Sequence, residues 1–335
     1  MDKQTILITG GAGYIGSHAV KLFLSRGYRV VVFDNLSRGW RQPIDILKQL
    51  GDLQLVEGDL TKPADLAKLF NDYQFAAVLH FAALCLVDES MSQPERYFYN
   101  NVVGSLNLLE QLRQHGCPPL IFSSTCAVYG ESQYLPMNEQ HPTNPANPYG
   151  ESKLMVEKMI QWYGSQHQLP YIILRYFNVC GADSQGLIGD SKKPSQLLMQ
   201  NAVRGALNIE PFAYTCGQVD TPDGTPIRDY IDVEDLVAAH AAAYDYLAAA
   251  GSSQIINLGS GRGYSVKEIV SAVENNLHCQ LVKAEAPARL GEYAQVYAEN
   301  SKAQQLLGWQ PSKSLDDSIA SLVKWYHNFP TGYQF

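Results

Sequence analysis

Two side chains four residues apart, Tyr149 and Lys153, could do chemistry together. Positions i and i+4 share one face of a helix, so a phenol and an ammonium there project toward the same neighbour. A free phenol titrates near about 10 and is a poor base at neutral pH, but an adjacent cation favours the phenolate and lowers that value. The pair therefore predicts a general base, Tyr149, assisted by Lys153. A hydroxyl able to hold the same substrate oxygen comes from Thr125, which closes the run Ser123-Ser124-Thr125 behind an apolar segment. A second constellation, Thr9-Gly10-Gly11-Ala12-Gly13-Tyr14-Ile15-Gly16-Ser17, follows an apolar strand-like run and opens an amphipathic one. In such a loop Gly10 permits the tight turn and Gly13 lets backbone approach a pyrophosphate. Gly16 allows close helix–strand packing, while the helix start attracts the anion. Asp34, 18 residues beyond Gly16, ends the next strand-like run. A carboxylate there accepts from both ribose hydroxyls and repels a 2′-phosphate, so NAD is favoured over NADP.

These groups need a scaffold that brings several strand ends together. Short apolar runs (Thr5–Thr9, Arg29–Phe33, Leu53–Val56, Ala76–Phe81, Leu120–Phe122, Tyr171–Leu174) alternate with longer amphipathic stretches, among them Tyr14–Ser25, Glu95–Gln114 and Tyr149–Gln166. The rhythm is βαβ, and continuous hydrophobic strands such as Val30-Val31-Val32-Phe33 suit a parallel sheet covered on both faces. The fold class is α/β, a doubly wound parallel sheet. The Gly-, Pro-, Gln- and Asp-rich stretch from Gly181 to Asp223 breaks the alternation. It suggests a cofactor domain over residues 1–178 and a smaller lobe over 179–335, with Ile255–Leu258 a late strand returning to the first sheet.

Composition excludes other classes. Across 335 residues, 25 Lys+Arg against 33 Asp+Glu give a net charge of −8 with no basic run, which argues against nucleic-acid and anionic-lipid partners. No apolar stretch approaches the roughly 20 residues needed to span a bilayer, so the expectation is a cytoplasmic protein. Six scattered cysteines form no metal-binding spacing and read as free thiols; no metal is expected.

The glycine spacing, the Tyr-x-x-x-Lys of Tyr149–Lys153 and the strand-end hydroxyls together resemble the short-chain dehydrogenase/reductase superfamily, with its Rossmann sheet. The motifs Phe81-Ala82-Ala83, Asn100-Asn101-Val102-Val103-Gly104, Val128-Tyr129-Gly130, Asn147-Pro148-Tyr149, Leu174-Arg175-Tyr176-Phe177-Asn178 and Arg228-Asp229-Tyr230-Ile231-Asp232 resemble its extended, nucleotide-sugar branch. Within that branch the chain is most similar to the UDP-glucose 4-epimerase family, through Asp34-Asn35-Leu36, Glu57-Gly58-Asp59 and Thr221-Pro222-Asp223-Gly224-Thr225, over about Lys3 to Trp325. The related 4,6-dehydratases follow the catalytic Thr with Asp-Glu; Cys126-Ala127 stands here and cannot serve as that acid and base.

The resemblance implies a C-terminal α+β lobe for a UDP-sugar and reversible oxidation at C4 through a 4-keto sugar, with NAD held tightly. It implies catalysis by Thr125, Tyr149 and Lys153. Cofactor contacts would come from Gly10, Gly13, Tyr14, Ile15, Gly16, Asp34, Asn35, Asp59, Leu60, Phe81, Ala82, Ala83, Asn100, Ser123, Tyr149, Lys153 and Tyr176. Substrate contacts would come from Thr125, Tyr149, Asn178, Gln196, Leu197, Arg228, Arg289, Glu292 and Val296, with Arg suited to the diphosphate by its planar fork of donors. It also implies a homodimer through the two helices Glu95–Gln114 and Tyr149–Gln166. UDP-glucose and UDP-galactose are the expected pair; UDP-glucuronate, a UDP-pentose, or a non-catalytic NAD sensor are the alternatives. Three departures stand out. Cys85 occupies a position where many such epimerases carry Lys, and Gln196 replaces an Asn or His. Val296 stands where some members have Tyr, leaving room for the N-acetyl group of UDP-GlcNAc and UDP-GalNAc.

Overall fold

The computed structural model describes residues 3–192, 195–215, 219–282, 284–286 and 293–334. Seven strands, β1 (Thr5–Thr9), β2 (Arg29–Asp34), β3 (Leu53–Glu57), β4 (Ala77–His80), β5 (Leu120–Ser123), β6 (Tyr171–Tyr176) and β7 (Gln254–Leu258), form one parallel sheet in the order β3-β2-β1-β4-β5-β6-β7. Strand alternation divides the core in two. Ile6, Ile8, Val30 and Val32 belong to a cluster on one face, and Leu7, Val31 and Phe33 to a cluster on the other. Both faces are dry because helices cover both, which is why these strands read as unbroken apolar runs. The strand order reverses between β1 and β4, and a crevice opens beyond the strand C-termini at such a switch point.

The helix Tyr14–Ser25 starts at Gly13 without a side-chain cap, whereas Asn147, Asp232, Ser265 and Ser314 each cap the helix that follows them. The one uncapped start in this set is the one aimed at the crevice, so its first-turn N–H groups remain to serve a ligand. The single helix expected over Glu95–Gln114 is instead Pro94–Tyr97, a π-helical turn at Phe98–Val103, and Gly104–Gln114. Such a turn widens the helix by one residue per repeat and leaves no periodicity signature in sequence.

The remaining chain builds a second, mixed sheet of four strands. Ile227–Asp232 pairs in parallel with Asn178–Cys180 and Gln295–Val296, and antiparallel with Gly263–Ser265. Leu198–Ala206, Val266–Leu277 and Leu315–Asn328 pack over a third core centred on the fully buried Trp325. Among the described residues no helix is long and apolar enough to cross a membrane.

Candidate active site

The crevice at the switch point is lined by Gly10, Gly13, Tyr14, Ile15, Gly16, Asp34, Asn35, Asp59, Leu60, Phe81, Ala82, Ala83, Asn100, Tyr149, Lys153 and Tyr176. All the cofactor residues expected from sequence except Ser123 therefore converge there. Gly10 sits at φ +71°, and a Cβ on Gly16 would lie 2.2 Å from the Gly10 carbonyl, so neither position accommodates a side chain. A bare glycine loop, an uncapped helix start and a carboxylate on the next strand end fit a dinucleotide. Asp34 has a second task not legible in sequence. Its Oδ2 accepts from the Ala12 amide (3.0 Å) and its Oδ1 from Leu36 N (2.8 Å), fastening the loop to β2, while burial pushes its pKa up. The π turn sets two consecutive asparagines to work. Asn100 lines the crevice, and Asn101 clamps both backbone groups of Leu84 (2.8 and 3.0 Å) while donating to Ser152.

The reacting corner stands on the helix Pro148–His167. It starts where it does because Asn147 accepts from Gly150 N (2.8 Å) and Pro148 occupies the first turn. Tyr149, Lys153 and Glu157 then recur on one face. Glu157 is fully buried, paired with Arg175 of β6 (Nε to Oε1 3.0 Å) and accepting from Ser124, so it fixes the helix to the sheet. Lys153 is 3% exposed; its ammonium donates to the Ser123 carbonyl (2.8 Å) and lies 4.7 Å from the Phe122 ring centre. Burial draws its pKa down to about 8, against the pull of Cys85 and Glu157. The chain's own groups raise the Tyr149 phenol. Burial pushes it well above 10.0, with Tyr176 and Cys85 adding to the rise and a hydrogen bond with Thr125 opposing it. The physical reason is the loss of hydration that a phenolate would suffer in this buried corner. Thr125 also accepts from Ala127 N (3.1 Å). Ser123 does not line the crevice; its hydroxyl pairs with His240 Nε2 (2.8 Å) and its carbonyl holds Lys153. Cys126, next to Thr125, has its thiol pushed up to about 12 by burial, so it offers neither acid nor base at neutral pH.

A second cleft adjoins the first, lined by Asn178, Gln196, Leu197, Asn201, Tyr214 and Arg228 among others. Tyr176 at the end of β6 faces one cleft, and Asn178, two residues on, faces the other. Of the expected substrate residues, Asn178, Gln196, Leu197 and Arg228 come together here. Arg289 and Glu292 lie outside the described residues. Val296 lines neither cleft. It packs into a cluster with Tyr129, Leu154 and Phe177, although its pairing with Arg228 puts the two side chains on the same face of their strands. Sequence reasoning missed Arg38 and Lys192, which line the first cleft from loops without motif spacing, and gave no role to Gly58, which lines it from within the Glu57-Gly58-Asp59 motif. For Arg38 a signal existed in hindsight, as a cation four residues beyond Asp34 in the same strand-end loop.

A glycine loop at an uncapped helix start, beside a helix-borne Tyr–Lys pair at a doubly wound sheet, defines a Rossmann-fold dinucleotide enzyme of the short-chain dehydrogenase/reductase type. The model of the NAD dependent epimerase/dehydratase family matches residues 6–259, and the chain belongs to that family; it is an NAD-dependent epimerase. It is 41% identical to the UDP-glucose 4-epimerase of Halalkalibacterium halodurans over 332 residues, 98% of each chain. It is 40% identical to UDP-arabinose 4-epimerase 1 of Arabidopsis thaliana, covering 98% of this chain and 80% of that one. The UDP-glucose 4-epimerase of Bifidobacterium longum in complex with NAD+ and UDP superposes with a TM-score of 0.93 at 34% identity, over 98% of this chain and all of that one.

Proposed function

We propose that the chain interconverts UDP-glucose and UDP-galactose. The observation that carries this is the nearness of the two sets of groups: Thr125 hydrogen-bonds Tyr149, and the charge of Arg228, in the second cleft, reaches the thiol of the adjoining Cys126. The glycine loop, Asp34, Asn35, Asp59 and Tyr176 would hold NAD, which when bound supplies a hydride acceptor and donor and, when oxidised, a positive charge. Tyr149 would take the proton of the sugar 4-hydroxyl at its Oη and return it to that oxygen after the sugar has turned its opposite face, where C4 regains its hydrogen. Thr125 fixes the oxygen being deprotonated, and Lys153, held by the Ser123 carbonyl, keeps a positive charge beside the phenol. Arg228 grips the diphosphate through its fork of donors, with Asn178, Gln196 and Leu197 around the nucleotide. The acid and base that elimination requires are missing from this corner, since Cys126-Ala127 follows Thr125 and the Cys126 thiol is held protonated. Purified protein incubated with UDP-galactose and no added NAD is expected to form UDP-glucose; NAD-loaded protein that converts no UDP-sugar would place it among NAD sensors.

A UDP-pentose is the second reading, favoured by the 40% identity to a UDP-arabinose 4-epimerase, and a panel of UDP-sugars decides between the two. Acceptance of UDP-GlcNAc belongs to the same panel. A wild type that does not turn it over, together with unchanged behaviour of Val296→Tyr, sinks the gating idea. In this reading residues 1–178 mainly bind NAD and residues 179–335 mainly bind the UDP-sugar. A homodimer is supported by exposed apolar side chains on two neighbouring helical segments, Tyr99 and Leu106 on one, Met155 and Trp162 on the other. Sedimentation of Trp162→Glu as a monomer, against a dimeric wild type, checks it. The five described free cysteines support a reducing, cytoplasmic setting, which cell fractionation tests.

A further inference from the structure

We propose that Lys192, set against Cys85, is a second positioning cation of the cofactor cleft, which favours the neutral, reduced nicotinamide over the oxidised one; this rests on the NAD-dependent reading above. Lys192 lies in the stretch between Asn178–Cys180 and the helix Leu198–Ala206, whose nearer residues Ser195, Gln196 and Leu197 line the second cleft. Its side chain instead reaches across into the first cleft, which it lines together with Cys85, Tyr149, Lys153 and Tyr176. Two lysines thus converge on one cleft: Lys153 from the helix behind Tyr149, and Lys192 from the second lobe.

The surroundings of Lys192 keep it charged. Its backbone amide turns toward Asp190 Oδ1 (3.4 Å), and Asp190 is itself 3% exposed. The ammonium hydrogen-bonds the Cys85 thiol and faces the Asp190 carboxylate and the Tyr176 phenol. Burial works against the charge, but Cys85, Asp190 and Tyr176 together hold the pKa above the ordinary lysine range. Asp190 takes up part of this charge, but a thiol is a weak acceptor, so on the Cys85 side the field of the cation reaches into the cleft. Tyr176 feels it, its phenol pKa being lowered by Lys192 against the larger effect of burial. Hydride acceptance takes a nicotinamide from positive to neutral, and a nearby cation stabilises the neutral state relative to the charged one. Lys192 therefore draws the bound couple toward reduction, the half of the cycle in which the sugar is oxidised.

The test is the midpoint potential of the nicotinamide bound to the holoenzyme, read by equilibration with a redox dye, so it needs no sugar substrate. In Lys192→Met the ratio of reduced to oxidised cofactor at fixed potential is expected to fall about tenfold, a shift of about 30 mV to lower potential for this two-electron couple. Lys192→Arg is expected to keep the wild-type value, and the exchanged pair Cys85→Lys/Lys192→Cys to restore most of it; a merely structural lysine would not show this pattern. Equal potentials in wild type and Lys192→Met, at equal NAD content, overturn the proposal. Should Lys192→Met fail to fold, Lys192→Gln is read the same way. Wild type assayed alongside on UDP-sugars separates the two claims: no conversion there refutes the epimerase reading and leaves the potentials to decide on Lys192.

Discussion

The two clefts are built in opposite ways. The first is made largely of backbone and strand ends: a glycine loop whose packing forbids a Cβ, an uncapped helix start and carboxylates at consecutive strand termini. The second is made of side chains delivered by separate segments, Asn178 from a strand end, Gln196 and Leu197 from a loop, Asn201 from a helix and Arg228 from another strand. A backbone-built site constrains residue type at fixed spacing, because only glycine tolerates the close approaches. A side-chain-built site can exchange one donor for another, as Gln196 illustrates. One architecture therefore fixes the cofactor, and the other is where sugar selectivity can vary.

Substitutions can break this contrast, and they are ordered here from the largest expected effect. Tyr149→Phe removes the base, which lines the first cleft. It is expected to lower kcat by about 10²–10⁴-fold while leaving NAD bound, measured by turnover and by cofactor released on acid treatment. Glu157→Gln uncouples the catalytic helix from β6 by leaving Arg175 buried without its ion pair. A loss of about 3–5 kcal/mol in unfolding free energy is expected by urea titration. Arg228→Met touches only the second cleft. It is expected to raise KM for the UDP-sugar about 10–100-fold, the equivalent of a charge-assisted hydrogen bond, with kcat and NAD content nearly unchanged. A parallel loss of NAD would show that the clefts are not separable. The smallest effect is on the pH profile. Lys153 is depressed from 10.5 to about 8, so its ammonium is present below that pH and lost above it. Turnover is expected to fall by about half at pH 8 and by about tenfold one unit higher, and Lys153→Arg should abolish that limb whatever its kcat.

Legibility followed the same divide. The strand–helix alternation, the glycine loop, Asp34 and the Tyr149–Lys153 pair could be read because each depends on local spacing, and the sheet brings them together. The π turn at Phe98–Val103 could not, since one extra residue in a helical repeat leaves no compositional trace, yet it presents Asn100 and Asn101 to different tasks. Spacing is also silent on burial. It put an ammonium beside the phenol, but not the Ser123 carbonyl that takes up that ammonium or the burial that pushes Tyr149 upward. Lys192 was illegible for a third reason. It reaches its cleft from a distant loop, and its partner Cys85 lies more than a hundred residues away in sequence.

The central claim is that hydrogen leaves C4 of the sugar and returns to the same carbon inside a closed cleft, with Tyr149 handling only the hydroxyl proton. UDP-galactose deuterated at C4, converted in ordinary water without added NAD, tests it directly. The account predicts UDP-glucose that retains its deuterium at C4. Product carrying solvent hydrogen at C4 would contradict it.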